Sequence, residues 1–190
     1  MKEKRDGWFE QLAQVSVQDL IFLDEFGAAT NMARVYARGP RGQRVVCKTP
    51  HGHWKTISTV AAMTTAGILT AVAYDGPMNT EAFVGFVEQF LVPKLQGGQV
   101  LVLDNLPAHK SAEVDRLVES AGARVLRLPP YSPDLNPIEM AISKVKSLLR
   151  KEAAREVPQL IDAIGRSLLA VTSTDAINFI QHCGYGATSG

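Results

Sequence analysis

Two short apolar runs end in aspartate, LIFLD at Asp24 and VLVLD at Asp104, and a proline-rich stretch, LPPYSPDLNPIE, delivers Glu139 into a helical pattern. Runs of this length and composition suit buried strands. If the two strands lie side by side and parallel, both carboxylates emerge at one edge of the sheet, in the crevice where open α/β sheets bind ligands. Two like charges held there repel, and a cation offsets that repulsion; hard oxygen ligands of this type suit Mg²⁺ or Mn²⁺. The plainer alternative is that each Asp caps a helix or opens a turn.

Glu139 has a plain reading too. Asn136 suits an N-cap, Pro137 the first helical position and Glu139 the third, which together make an N-x-x-E variant of the capping box. On a helical wheel, however, Ile138, Ala141, Ile142, Val145, Leu148 and Leu149 form one apolar stripe, while Glu139, Ser143, Lys146 and Arg150 share the flank beside it. An acid lined up with two cations is what a site that cuts nucleic acid requires. Metal ions activate the nucleophile and stabilise the leaving oxygen, and cations position the phosphate backbone.

The elements that must place these acids can be read from periodicity. Residues 20–25 form a first strand, and the uncharged stretch 56–74, broken at Thr65-Ala66-Gly67, forms a β-hairpin rather than a membrane helix. Asn79 or Thr80 caps a helix reaching Pro93, with Phe83, Phe86, Val87 and Phe90 at helical spacing. A strand at 100–104, a helix from Ser111 to Gly122, a strand at 124–128, the Glu139 helix and a helix from about Pro158 to Val171 complete the order. The tight hairpin predicts antiparallel pairing at the start, and the later alternation of strands and helices predicts parallel pairing. The expectation is a mixed five-stranded α/β sheet with helices on both faces.

Composition agrees with a folded chain: 46% of its 190 residues are apolar, 21% are charged, and the net charge is +1. The length suits a single domain over residues 1–190. Cys47 and Cys183 form no zinc-type spacing, and the basic start MKEKRDGWFEQL is followed by no apolar run of a secretory signal, so a reducing cytoplasmic setting is expected.

Taken together, FLDEFG with Asp24, VLDNLPAHK with Asp104 and LPPYSPDLNPIE with Glu139 resemble the Asp-Asp-Glu transposases of bacterial insertion sequences in the mariner superfamily, and 34 residues separate the second Asp from the Glu as they do there. GHWKTISTVAAMTTAGI, YDGPMNTEAF and the terminal HCGYG extend the similarity over nearly the whole chain. The resemblance implies an RNase H-like fold, with Asp24, Asp104 and Glu139 as catalytic residues and ligands of two Mg²⁺ or Mn²⁺ ions. It also implies DNA as partner, a dimer or larger assembly on paired ends, and insertion at TA dinucleotides.

Two departures stand out. Many relatives carry an aromatic residue two or three positions after the glutamate, where this chain has Ala141 and Ile142. Full-length relatives begin with helix-turn-helix modules, for which residues 1–19 leave no room, so the expectation is either a catalytic half with an upstream DNA-binding half as partner or a truncated copy.

Between Phe26 and Tyr74 lie six cations, Arg34, Arg38, Arg41, Arg44, Lys48 and Lys55, and no acid. They are candidate phosphate contacts, as are His109, Lys146 and Arg150; the alternative for the loop is a solvated basic face. Glu25 and Asn105 adjoin the acids as supporting groups, Asp134 is structural, His51 and His53 are loop residues, and Trp8 and Trp54 are packing residues. The expected activity is metal-dependent DNA cleavage at transposon ends and strand transfer into target DNA. The rivals are an RNase H-like nuclease or resolvase acting on branched or hybrid duplexes, and a catalytically silent DNA-binding remnant.

Overall fold

The computed structural model describes residues 2–34, 36–46, 50, 52–106, 109 and 111–186, with the side chains of 2–6 left aside. Among the described residues five strands form one sheet in the order β3-β2-β1-β4-β5. They are β1 (Leu20–Ala29), β2 (Thr56–Thr64), β3 (Gly67–Asp75), β4 (Val100–Leu103) and β5 (Arg124–Arg127). β1, β2 and β3 pair antiparallel, while β1–β4 and β4–β5 pair parallel, so the mixed sheet expected from the connections is the one observed. The hairpin turns at Gly67, whose φ of 112° disfavours any other residue. A Cβ there would also meet the Val171 carbonyl at 2.9 Å, so glycine additionally lets the chain beyond the hairpin pack closely.

Strand alternation sorts the apolar residues into two cores. Phe22, Ala61, Met63, Val100 and Val102 face the layer that includes α1 (Lys2–Gln11), α4 (Pro137–Glu152), α5 (Val157–Leu169) and α6 (Ser173–His182). Ile21, Leu23, Val60, Leu101 and Leu103 face α2 (Thr80–Phe86) and α3 (Ala112–Ser120). Helices thus cover both faces. α2 starts at Asn79, whose side chain accepts from the Ala82 amide at 2.8 Å. It then widens into a π turn over Val87–Leu91. The widened turn buries Leu91 and leaves Phe90 40% exposed, against the helical spacing that groups Phe90 with Phe83 and Phe86.

α1 and α6 are not legible as helices from periodicity. α1 carries few apolar residues, yet its Trp8 is buried and donates Nε1–H to the Tyr185 hydroxyl at 3.1 Å. α6 begins at a capping box in which Thr172 and Asp175 satisfy each other's backbone amides. Trp54, expected in the packing, is 57% exposed, because its loop runs over the surface before β2 begins. No helix among the described residues is long and apolar enough to cross a membrane.

Candidate active site

The parallel β1–β4 register pairs Leu20 with Val100, Ile21 with Leu101 and Phe22 with Val102. Asp24 and Asp104 each lie two residues further along, so alternation puts them level with one another on the face that carries α4. Asp24 does not end its strand as the sequence suggests. β1 continues to Ala29 because β2 keeps pairing with it on the other side, Asp24 opposite Ala61 and Ala29 opposite Thr56. The aspartate therefore sits in mid-strand, where β1 outruns β4, and it is rigidly held and buried.

Both oxygens of Asp24 accept hydrogen bonds: Oδ1 from the Glu25 amide at 2.7 Å, and Oδ2 from Asn136 Nδ2 at 2.9 Å. Burial pushes its pKa from 3.8 to about 7; the Glu25 amide opposes the rise, and the negative fields of Glu139 and Asp104 add to it. Asp24 thus feels the charge of both other acids.

Asp104 is better solvated, with its side chain 32% exposed. Its Oδ1 accepts from the Leu106 amide at 2.9 Å and pairs with His109 Nδ1 at 2.5 Å. The carboxylate puts the imidazole proton on Nδ1. His109 is fully buried and its ring packs against Phe83, with centroids 4.2 Å apart. The expectation that His109 touches DNA is therefore corrected: the ring has no exposed edge to offer a phosphate, and it orients Asp104 instead. The His109 carbonyl accepts from Arg127, which also pairs with Asp115 at 2.7 Å. Asn105 donates its side-chain amide to the Leu128 carbonyl, tying the loop after β4 to the end of β5.

Glu139 lies in the first turn of α4, exposed. The helix starts at Asn136 with Pro137 next, as the sequence suggests, but the Asn136 side chain makes no capping bond. The capping-box reading is corrected on this point, since the amide is turned away from the helix and spent on Asp24. Asn136 Oδ1 is buried without a hydrogen-bond partner among the described residues, an uncommitted acceptor beside the acids. The loop ahead of the helix is held from the far side of the chain by the Tyr185 hydroxyl, which donates to the Leu135 carbonyl at 2.6 Å. Tyr131, in the same loop, has φ 56°, a left-handed conformation that costs a bulky residue roughly 1–3 kcal/mol.

Asp104, Asn136 and Glu139 line one cavity of about 500 Å³ whose other wall is Leu106, Leu128 and the Pro129–Pro133 loop. A second cavity, of about 530 Å³, opens on the other side of Asn136 and Glu139, against Phe9 and Cys183. Carboxylate oxygens are the donor type that Mg²⁺ and Mn²⁺ take. Among the described residues no three acid, histidine or cysteine side chains are already grouped to hold an ion; Asp24 and Asp104 spend oxygens on protein donors, and Glu139 lines the cavity from an exposed position.

Of the cations singled out in the sequence, Arg34, Arg38, Arg41, Arg44 and Lys55 are exposed, and Lys48 lies outside the described residues. Arg34 and Arg150 line one groove of about 390 Å³ together with Tyr36, Ser147 and Lys151. The tertiary structure thus joins one member of the loop set to one member of the α4 set and adds Lys151. Lys146 is half-buried on the same helix. Sequence reasoning missed the side-chain roles of Asn136 and Tyr185, for which spacing carries no signal.

Residues 19–161 match the sequence pattern of the DDE superfamily endonucleases. No curated protein matches the chain. Among solved structures, a Mos1 transposase paired-end complex with the left transposon end superposes with a TM-score of 0.78 at 15% identity, covering 96% of this chain and 57% of that one. The Mos1 strand transfer complex gives 0.72 at 14%, covering 96% and 56%. The isolated catalytic domain of Mos1 mariner transposase gives 0.68 at 14%, covering 96% and 85%. Mos1 paired-end complexes solved with Mn and with Mg match over the same 96% of this chain. The chain thus spans somewhat over half of the Mos1 chains in the complexes and most of the catalytic domain. Identities this low speak for the fold, which is the RNase H-like fold of that domain. The family match covers Asp24, Asp104 and Glu139 together with every strand of the sheet, and the chain belongs to the DDE superfamily endonucleases.

Proposed function

We propose that these 190 residues are a single catalytic domain of a transposase of the bacterial insertion-sequence type, cutting DNA at transposon ends and joining the freed ends to target DNA. The observation that carries the proposal is that buried Asp24, level with Asp104 across two parallel strands, has its pKa raised to about 7, by burial first and also by the fields of Glu139 and Asp104. Acids in such mutual repulsion suit a cation-binding, phosphate-processing site. Asp24, Asp104 and Glu139 are assigned as ligands of two divalent ions, Mg²⁺ or Mn²⁺, as the Mos1 structures with those metals encourage. When bound, such ions polarise the phosphodiester and lower the pKa of water.

The chain's own residues set the geometry. His109 and the Leu106 amide hold Asp104 through its Oδ1 and so fix the direction of its carboxylate. Asn136 and the Glu25 amide hold Asp24. Glu139 faces the cavity from a helix whose start is tied down by Tyr185. In the first step a water oxygen attacks the phosphorus and the P–O3′ bond breaks, leaving a 3′-hydroxyl. In the second that hydroxyl attacks a target phosphodiester, loses its proton, and displaces the target's own 3′ oxygen.

DNA is the partner, gripped by Arg34, Arg38, Arg41, Arg44, Lys48, Lys55, Lys146 and Arg150, in a dimer or larger assembly and with end recognition supplied by an upstream DNA-binding half. The setting is the bacterial cytoplasm. The test is a plasmid assay in Mg²⁺ or Mn²⁺ with a labelled 3′-hydroxyl duplex. Metal-dependent nicking plus joining of the label to plasmid supports the reading. Nicking of branched or hybrid duplexes without joining indicates a nuclease or resolvase, and binding with neither activity indicates a silent remnant.

A further inference from the structure

We propose that Tyr131 is a stacking platform for an unpaired nucleobase next to the scissile phosphodiester, an inference that rests on the DNA-cutting reading above. Tyr131 is 90% exposed, so its ring does no work in the core. Its backbone nonetheless sits at φ 56°, one of two such non-glycine residues among those described. The other, Ala153, closes the C-terminus of α4 and so has a structural explanation. Tyr131 closes no helix. A glycine would hold this turn more easily, yet the position carries a large flat ring aimed into solvent.

The surroundings suit a base. Tyr131 lines the 500 Å³ cavity whose polar end is Asp104 and Glu139 and whose apolar wall is Leu106, Pro129 and Pro130. A nucleotide whose phosphate lies at the acids would carry its base toward that apolar wall. Prolines at 129, 130 and 133 restrict the backbone on both sides of the ring, so little conformational freedom remains to be lost on binding. Bases inside a duplex are already stacked and offer no free face, so the ring selects DNA that is unpaired at that nucleotide. A stacking contact reads no sequence, which fits an element placed at the reacting phosphate rather than in a groove.

The test uses the full chain in the absence of divalent ions, so that the DNA stays intact. The probe is a forked duplex with 5-iododeoxyuridine at its first unpaired nucleotide, and a blunt duplex of the same sequence is the control. Long-wavelength irradiation should cross-link the fork to Tyr131, located by peptide mass analysis. Y131F should retain fork affinity, whereas Y131G should lose the cross-link and about tenfold or more of that affinity. Y131G should bind the blunt duplex like the parent and melt no lower, because glycine relieves the left-handed backbone. Unchanged fork affinity in Y131G, or a cross-link confined to other residues, overturns the proposal. If the parent cuts no DNA in Mg²⁺ or Mn²⁺ but still cross-links through Tyr131, the catalytic reading fails and the stacking site stands. If the parent cuts and Y131G binds forks equally well, the reverse holds.

Discussion

Asn136 Nδ2 donates to Asp24 Oδ2 at 2.9 Å across 112 residues of sequence, and both side chains are buried. The bond joins the residue that starts α4 to the middle of β1, and so couples the position of Glu139 to that of Asp24. Asn136→Ala removes the donor and leaves a buried oxygen short of a partner, at a cost of about 1–3 kcal/mol. Asn136→Asp adds an acid to an acidic site and should cost more at neutral pH than at pH 5. Urea unfolding at the two pH values measures both, and equal losses for the two variants at both would contradict the coupling.

Asp24 makes the metal-free protein less stable as pH rises. Its folded pKa of about 7 exceeds the unfolded 3.8, so between those values the folded state holds the extra proton. The contribution of Asp24 to stability is then full below about pH 4 and is lost as pH rises through 7, by at most roughly 4 kcal/mol. Asp24→Asn should flatten that decline. Mg²⁺ or Mn²⁺ should raise the melting temperature more at pH 8 than at pH 5, since the ion binds the ionised form. A melting series against pH, with and without the ion, decides both points.

Replacing Asp24, Asp104 or Glu139 by Ala should abolish metal-dependent nicking. The stability effects should differ by position. Glu139 is exposed and its replacement should leave the melting temperature nearly unchanged, whereas Asp104→Ala deprives buried His109 of its partner and should cost about 1–3 kcal/mol. Near-normal nicking by any one of the three variants, with folding verified by circular dichroism, would remove that residue from the site.

Tyr185 ties the chain's C-terminal turn to the Glu139 loop. Its ring packs edge-on to Phe22 at 4.9 Å, and its hydroxyl both accepts from Trp8 and donates to Leu135. Tyr185→Phe strands a buried indole N–H and a carbonyl, and should cost about 2 kcal/mol or more. Trp8→Phe strands neither the Leu135 carbonyl nor the loop, so nicking should fall further in Tyr185→Phe than in Trp8→Phe. Rates for the two variants, compared below their melting temperatures, provide the check.

Arg34 and Arg150 share a groove with Lys151. If the groove holds phosphates, joint replacement of Arg34 and Arg150 by Gln should weaken binding to all DNA sequences alike. It should also flatten the log–log salt dependence by about 0.9 per lost contact. Lys146→Gln should add to the effect only if its half-buried ammonium also reaches the backbone. Fluorescence anisotropy over a salt series measures the slopes, and an unchanged slope assigns these cations to solvent.

Much of this architecture was written locally. The runs LIFLD and VLVLD, the hairpin break at Gly67 and the Asn-Pro start before Glu139 specify strands, turn and helix through burial, backbone freedom and capping, properties a few adjacent residues carry by themselves. The two aspartates were legible as a pair because parallel pairing follows from strand–helix alternation. Tertiary structure decided the rest. Which side chain Asn136 bonds, whether His109 faces DNA or Asp104, where β1 ends, and which loop arginine meets α4 all depend on contacts between segments far apart in the chain. A hydrogen-bonding side chain takes whatever partner packing brings within about 3 Å, and that partner is set by the summed packing of the sheet and helices rather than by its neighbours in sequence.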